Sequence, residues 1–153
     1  MTQILFFWEP SDPPFTVKRD PIKRNNQLRS ALEKRPGFIV GGSLVSWGDE
    51  WFSAFDLAVF LWIPPDIRLD RLRKREFTRY GSVIYEDEHR NQLFEEFISW
   101  ASGYDNPLST RRSLVVHENW MKKLSCPILE LRGDYTVQER LDAVIKQMAE
   151  RPV

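Results

Sequence analysis

A single cysteine, Cys126, excludes both an intramolecular disulfide and a thiolate metal cluster from this chain. It opens the apolar run CPILEL, where a small buried hydrophobe is the expected role. Histidine is nearly as scarce: His89 and His117 stand far apart, without metal-ligand spacing. The longest apolar run, Leu57 to Ile63, is much too short to cross a bilayer, and no basic segment leads a signal-type apolar stretch. A surplus of charge is missing too. Lys and Arg total 22 and so do Asp and Glu, which removes the global basic field that draws proteins onto nucleic acid. The expected protein is cytoplasmic, with neither a membrane nor a nucleic-acid partner, and any anion site in it is local. With no internal repeat, low-complexity tract or linker, the 153 residues read as one domain with a substantial core.

Aromatic residues are plentiful, with six Trp and ten Phe, which suits bulky core packing. Prolines from Glu9 to Phe15 rule out regular structure there. Asp20 followed by Pro21 is an N-cap with proline at the first helical position, so a polar helix is expected to run up to Pro36 and Gly37. FIVGGSLV, Phe38 to Val45, reads as a strand, and FDLAVFLWIPP, Phe55 to Pro65, as a second strand buried on both faces of a parallel sheet. Pro64 and Pro65 start a helix that Gly81 ends. GSVIYEDE reads as a loop. His89 to Asp105 reads as a helix whose apolar line is Leu93, Phe97, Trp100 and Tyr104. Beyond DNPLST come another amphipathic helix, a third strand in CPILELRG, and a last helix entered through a Thr136–Glu139 capping box. Three buried strands alternating with helices predict an α/β domain, a three-layer parallel sheet with helices on both faces. Ligands of such sheets lie at the carboxyl ends of the strands.

Between the second strand and Gly81 stands RLDRLRKREFTRYG, in which Arg68, Arg71, Arg75 and Arg79 fall on one helical stripe roughly 80° wide. Two readings compete. One is a solvated charged face, kept soluble by Asp70 and Glu76. The other is a phosphate clamp, since guanidinium groups bind phosphate bidentately and stay charged at any working pH.

GGSLVSWGD, FDLAVFLWIPPDIRLDRLRKREFTRYG, SWASGYD and HENWMKKLSCPILELRG, in that order, resemble a family of small bacterial P-loop proteins related to adenylate kinase and shikimate kinase. WEPSDPPFTVKR resembles that family's segment after its second strand, so the likeness runs from Phe6 onward. It implies a nucleotide-kinase-like P-loop fold, ATP and Mg²⁺ as cofactors, and a small phosphate-bearing molecule as partner. It also implies a lid at Tyr80 to Glu88, with Arg75 and Arg79 as the catalytic phosphate contacts and Arg68, Arg71 and Arg112 as further phosphate or nucleotide ligands. One departure stands out: the sequence contains no G-x-x-x-x-G-K-[ST], the loop whose N–H groups and Lys hold the phosphates. The resemblance places that loop ahead of Met1, on a first strand and helix of roughly thirty residues.

Several further positions carry two readings each. Lys18 and Arg19 either contact an acceptor substrate or form a surface pair ahead of the helix. Ser43 either touches a phosphate or ends a strand. Asp49, beside Glu50, either coordinates Mg²⁺ through water or is a solvated loop acid. Asp105 with Arg111 and Arg112 either forms an ion pair that orders the lid or stays solvated. The expectation for these 153 residues by themselves is a kinase-like phosphotransferase fold that transfers no phosphoryl group, because nothing holds the γ-phosphate in line with an acceptor. The alternative is a non-catalytic remnant that binds a phosphate ligand or a protein, as a homodimer through its incomplete sheet.

Overall fold

The computed structural model describes residues 1–12, 16–109 and 112–150. The chain divides into two compact units, Met1–Trp51 and Phe52–Val153. In the first, a single helical turn, α1 (Ile4–Phe7), precedes α2 (Pro21–Glu33). The Asp20 carboxylate accepts a hydrogen bond from the Lys23 N–H at 2.9 Å, and Pro21 sits where its missing N–H does no harm. The helix begins where the Asp–Pro signal places it.

Phe38 to Val45 departs from the sequence expectation. It forms no strand; Gly41 makes one isolated parallel bridge to Thr2, and Gly42 (φ 115°) and Ser46 (φ 65°) turn the chain in the left-handed region. Leu44 and Val45 are buried all the same, from within a turn. The apolar run therefore reports burial and not extended structure.

The second unit is a β-α-β arrangement with an elaborate crossover. β1 (Ala58–Trp62) pairs in parallel with β2 (Ile128–Arg132), Ala58 opposite Ile128 and Trp62 opposite Arg132. Among the described residues this is a two-stranded sheet in a chain that is mostly helical, not the three-layer parallel sheet expected from sequence. The expectation that β1 is buried on both faces also fails: Val59 and Leu61 are exposed, while Ala58, Phe60 and Trp62 are half-buried. A continuous apolar run marks a strand but does not count the layers that cover it.

Four helices fill the crossover: α3 (Pro65–Tyr80), α4 (Val83–Glu86), α5 (Glu88–Ser102) and α6 (Leu114–Met121). α3 starts at Pro65 and stops at Gly81, whose N–H donates to the Phe77 carbonyl at 2.8 Å. At φ 73° and ψ −160°, Gly81 occupies backbone space that only glycine enters without strain. It reverses the chain into α4, the stretch read from sequence as a loop. Ile84 of α4 is buried with Phe94 and Ile98 of α5, and Leu69, Leu72 and Phe97 pack against that cluster. The buried side of α5 is Phe94, Ile98 and Ala101, whereas Leu93 and Trp100 from the expected apolar line are exposed.

α7 (Val137–Ala149) follows β2 and carries the expected reciprocal capping box: Thr136 accepts from the Glu139 N–H, and Glu139 accepts from the Thr136 N–H at 2.7 Å. Its apolar residues Val137, Leu141, Ile145 and Met148 are exposed. No described helix is long and apolar enough to cross a membrane.

Candidate functional site

The carboxyl ends of β1 and β2 bring together residues that are far apart in sequence. β1 ends at Trp62, and the next turn of chain enters α3, so Arg68 and Arg71 are carried back to the strand ends. Asp105, in the 3₁₀ turn Gly103–Asp105 after α5, holds two of these pieces at once. One of its oxygens accepts from the Trp62 indole N–H at 2.7 Å and the other from the Arg68 guanidinium. Arg68 also donates to the Ile63 carbonyl at 3.2 Å and lies 5.0 Å from the Tyr104 ring centroid. Both members of the Arg68–Asp105 pair are largely shielded from solvent, at 17% and 25% side-chain exposure.

The neighbouring ion pair differs in kind. Arg71 meets Asp134, just past β2, at 2.6 Å, and both side chains are close to half exposed, at 48% and 41%. At the end of β2, Arg132 forks between Glu118 and Glu130, each at 2.7 Å. Those two carboxylates raise its already high pKa, Glu118 contributing first. Arg132 is thereby committed to its own acids.

Tyr104 and His117 complete the cluster. His117 Nδ1 lies 2.8 Å from the Ser113 carbonyl, which can only accept, so Nδ1 carries the proton; the Tyr104 hydroxyl lies 3.2 Å from the same nitrogen. Burial pushes the Tyr104 hydroxyl above its ordinary pKa. It pushes the His117 imidazole below 6.5, outweighing the Ser113 bond, and nearby Arg112 adds to the depression. The sign of the pH effect follows. A histidine held neutral in the fold binds fewer protons than in the unfolded chain, so stability is full above pH 6.5 and falls as pH drops below it. Melting temperatures between pH 7.5 and 5.5 are expected to fall more steeply for the native chain than for His117→Gln. Parallel slopes would mean that His117 titrates alike in both states.

The other sequence-derived positions are distributed as follows. Arg75 pairs with its neighbour Glu76 at 2.8 Å and lies 5.7 Å from the Phe97 ring centroid. Arg79 lies 5.9 Å from the Tyr80 ring centroid. Arg112 is exposed and lines an open cleft of about 740 Å³ with Glu95, Glu96 and Trp100. Asp105 is engaged by Arg68 and Trp62, and among the described residues it forms no ion pair with Arg112; Arg111 lies outside the described residues.

Four candidates belong to the first unit. Lys18 forms an antiparallel bridge to Trp8 and has an exposed side chain. Arg19 is a structural clip: it meets Glu9 at 3.1 Å, donates to Gln27 at 2.7 Å, and reaches the Leu5 and Phe6 carbonyls. The Lys23 hydrogen bond, followed by Arg19, holds the Glu9 carboxyl below its usual range despite some desolvation. Ser43 accepts from the Val45 N–H at 3.4 Å in the turn. Asp49 is exposed at the start of a 3₁₀ turn, and its neighbour Glu50 accepts from Asn25 at 2.7 Å. No group of three His, Cys, Asp or Glu side chains able to hold a metal occurs among the described residues. Asp49, with Glu50 beside it, therefore belongs to no such group.

Among known proteins, the chain is 44% identical over 135 residues to the uncharacterized protein YqaC of Bacillus subtilis (strain 168), covering 88% of this chain and 76% of YqaC. The chain belongs to the YqaC family. No protein-family model and no solved structure matches it. The match takes in most of the second unit whichever end is left out, so the cluster around Asp105 lies within the aligned stretch.

Sequence reasoning passed over Trp62, Asp134 and the role of Asp105. Asp134 had a usable signal, since it follows Gly133 at the carboxyl end of a strand. Trp62 had none, and neither had the pairing of Arg68 with Asp105, because that partner lies 43 and 37 residues away.

Proposed function

We propose that this chain binds a small phosphate-bearing molecule at the carboxyl ends of β1 and β2, as part of a cytoplasmic, nucleotide-kinase-like phosphotransferase. The observation that carries the reading is the contrast between Arg68 and Arg71 at that edge. Arg68 is shielded and locked to Asp105; Arg71 is held by an exposed acid at 2.6 Å. An exposed ion pair contributes about 0–1 kcal/mol, whereas hydrogen bonds to a charged group contribute about 1.5–3 kcal/mol. A phosphate can therefore displace Asp134 from Arg71 at little cost. The Asp105 clasp keeps α3 in place while it does so.

The residues present supply binding and charge neutralisation. ATP and Mg²⁺ belong to this reading through the family resemblance, and no transfer step is routed through either. The resemblance places transfer with a G-x-x-x-x-G-K-[ST] loop, which these 153 residues do not contain. A second reading rests on β1, which among the described residues hydrogen-bonds to a neighbouring strand on one side only. In it, the chain is a non-catalytic partner that pairs through this edge, as in a homodimer.

Calorimetric titration with inorganic phosphate tests the first reading. Arg71→Ala is expected to weaken binding at least tenfold, and Asp134→Ala to strengthen it by removing the internal competitor. Unchanged affinity in Arg71→Ala would reject the carboxyl-end site. No binding by the native chain, together with a dimeric mass in light scattering, would favour the second reading.

A further inference from the structure

The backbone of β1 is used on one side only. Along a parallel ladder, every second residue of a strand turns its N–H and C=O groups to the same neighbour. The Ala58 N–H donates to the Pro127 carbonyl and the Trp62 carbonyl accepts from the Gly133 N–H, both at 3.0 Å, so Ala58, Phe60 and Trp62 serve β2. Val59 and Leu61 face the other way, and among the described residues their N–H and C=O groups have no partner. Their side chains are exposed as well, at 38% and 49%. Edge strands are ordinarily guarded by a Lys, a Pro or a bulge. AVFLW carries none of these and no charge of either sign.

Such an edge is complementary to itself in one antiparallel register. In an antiparallel ladder, a residue whose groups face the partner strand exchanges both bonds with the residue opposite, and the pairs between exchange none. Setting Val59 opposite the second copy's Val59, or Leu61 opposite the second copy's Leu61, leaves one of the two facing chain outside β1. Setting Val59 opposite the second copy's Leu61 satisfies all four groups of each copy within the strand. It also brings the exposed Val59 and Leu61 side chains together as two cross-strand apolar pairs on one face. On the other face the small Ala58 falls opposite the second copy's Trp62, and Phe60 opposite its own counterpart. Charge permits the match, because an uncharged strand sets no like charges against each other. The edge is small beside the roughly 800 Å² that each partner buries in a standard interface. The resulting dimer is therefore one that dissociates on dilution.

We infer that two copies of this chain pair β1 to β1, antiparallel, about a two-fold axis at Phe60, forming a four-stranded sheet in the order β2-β1-β1-β2. The inference rests on the edge pairing given above as the second reading and supplies its symmetry and register. It uses neither Arg71 nor Asp134, so the phosphate site is judged by its own titration.

The test links the two copies by disulfides at exposed positions, in chains whose native cysteine is removed by Cys126→Ser. Val59→Cys and Leu61→Cys chains are oxidised separately and as an equimolar mixture, and the products are weighed by mass spectrometry. In this register position 59 of one copy lies about 5.5 Å, Cα to Cα, from position 61 of the other, within the roughly 4.4–6.8 Å that a disulfide spans. Like positions are offset by two residues along the ladder, beyond the limit of about 7 Å. Expected is a linked dimer in the mixture at about ten times its yield in either chain alone. A concentration series in the ultracentrifuge is the second measurement. The native chain is expected to pass from monomer to dimer, and Val59→Pro, which removes an edge-facing N–H and no bond to β2, to stay monomeric. If Val59→Pro abolishes the native dimer but either chain alone links as well as the mixture, or the mixture does not link, the register is overturned and the edge reading stands. A native chain that is monomeric at every concentration and never linked overturns both. So does a dimer that survives Val59→Pro and is lost in Leu141→Glu, on the exposed apolar side of α7, since association then runs through that helix.

Discussion

Phe94→Ala is expected to remove about 3–5 kcal/mol of stability, while Leu93→Ala, one residue away, stays within about 0.5 kcal/mol. Phe94 is 6% exposed at the centre of the cluster with Ile84 and Ile98, and its ring meets the Tyr85 ring edge-on at 5.5 Å between centroids. Truncation opens a cavity among side chains that cannot close over it, because α4 and α5 are joined by a single residue. Leu93 is 45% exposed and has little to lose. Urea unfolding checks the pair: a loss of that size lowers the midpoint by about 2 M at an ordinary m-value. Equal losses in the two variants would mean that α5 is turned one position from the face described.

Asp105→Ala is expected to cost about 2–4 kcal/mol, since it leaves two donors unsatisfied at about 1–3 kcal/mol each, reduced by their partial exposure. The Trp62 indole N–H and the Arg68 guanidinium both depend on this carboxylate. Asp105→Asn keeps an oxygen for Trp62 and loses the charge facing Arg68, so an intermediate loss is expected. The comparison is Asp134→Ala, which opens the exposed pair with Arg71 and falls within about 1 kcal/mol. If Asp105→Ala and Asp134→Ala unfold at the same denaturant concentration, the Asp105 clasp contributes no more than a surface pair. The position of α3 then has another cause.

Local signals carried far in this chain. Asp20–Pro21, Pro64–Pro65 with Gly81, and Thr136 with Glu139 mark helix ends where the structure has them, because caps and turn residues act on the backbone within four positions. AVFLW and ILELR are strands, as their apolar runs suggest. Non-local features were hidden. Phe38 to Val45 has strand composition but spends its apolar residues in a turn shaped by Gly42 and Ser46. The α5 line of Leu93, Phe97 and Trp100 has correct helical spacing and yet is offset from the buried line, since in an aromatic-rich helix two adjacent stripes can both look apolar. The arginine stripe is helical as expected, but helical spacing alone could not show that Arg68 belongs to Asp105 and Arg71 to Asp134.

The pairing of Ala58 with Ile128 carries a consequence for how the second unit assembles. The first ladder bond encloses about seventy residues of chain, and a flexible loop of that length is entropically costly, with each doubling adding roughly 0.6 kcal/mol. The chain between the strands is not a flexible loop. α3, α4 and α5 are sequential neighbours that bury Ile84, Phe94 and Ile98 among themselves. Once that block is compact, much of the enclosed chain is already fixed, and β1 and β2 meet across a shorter effective gap. The helices between the strands thus lower the entropy of closing the sheet, and the same residues that carry the arginines set the distance over which its two halves must find each other.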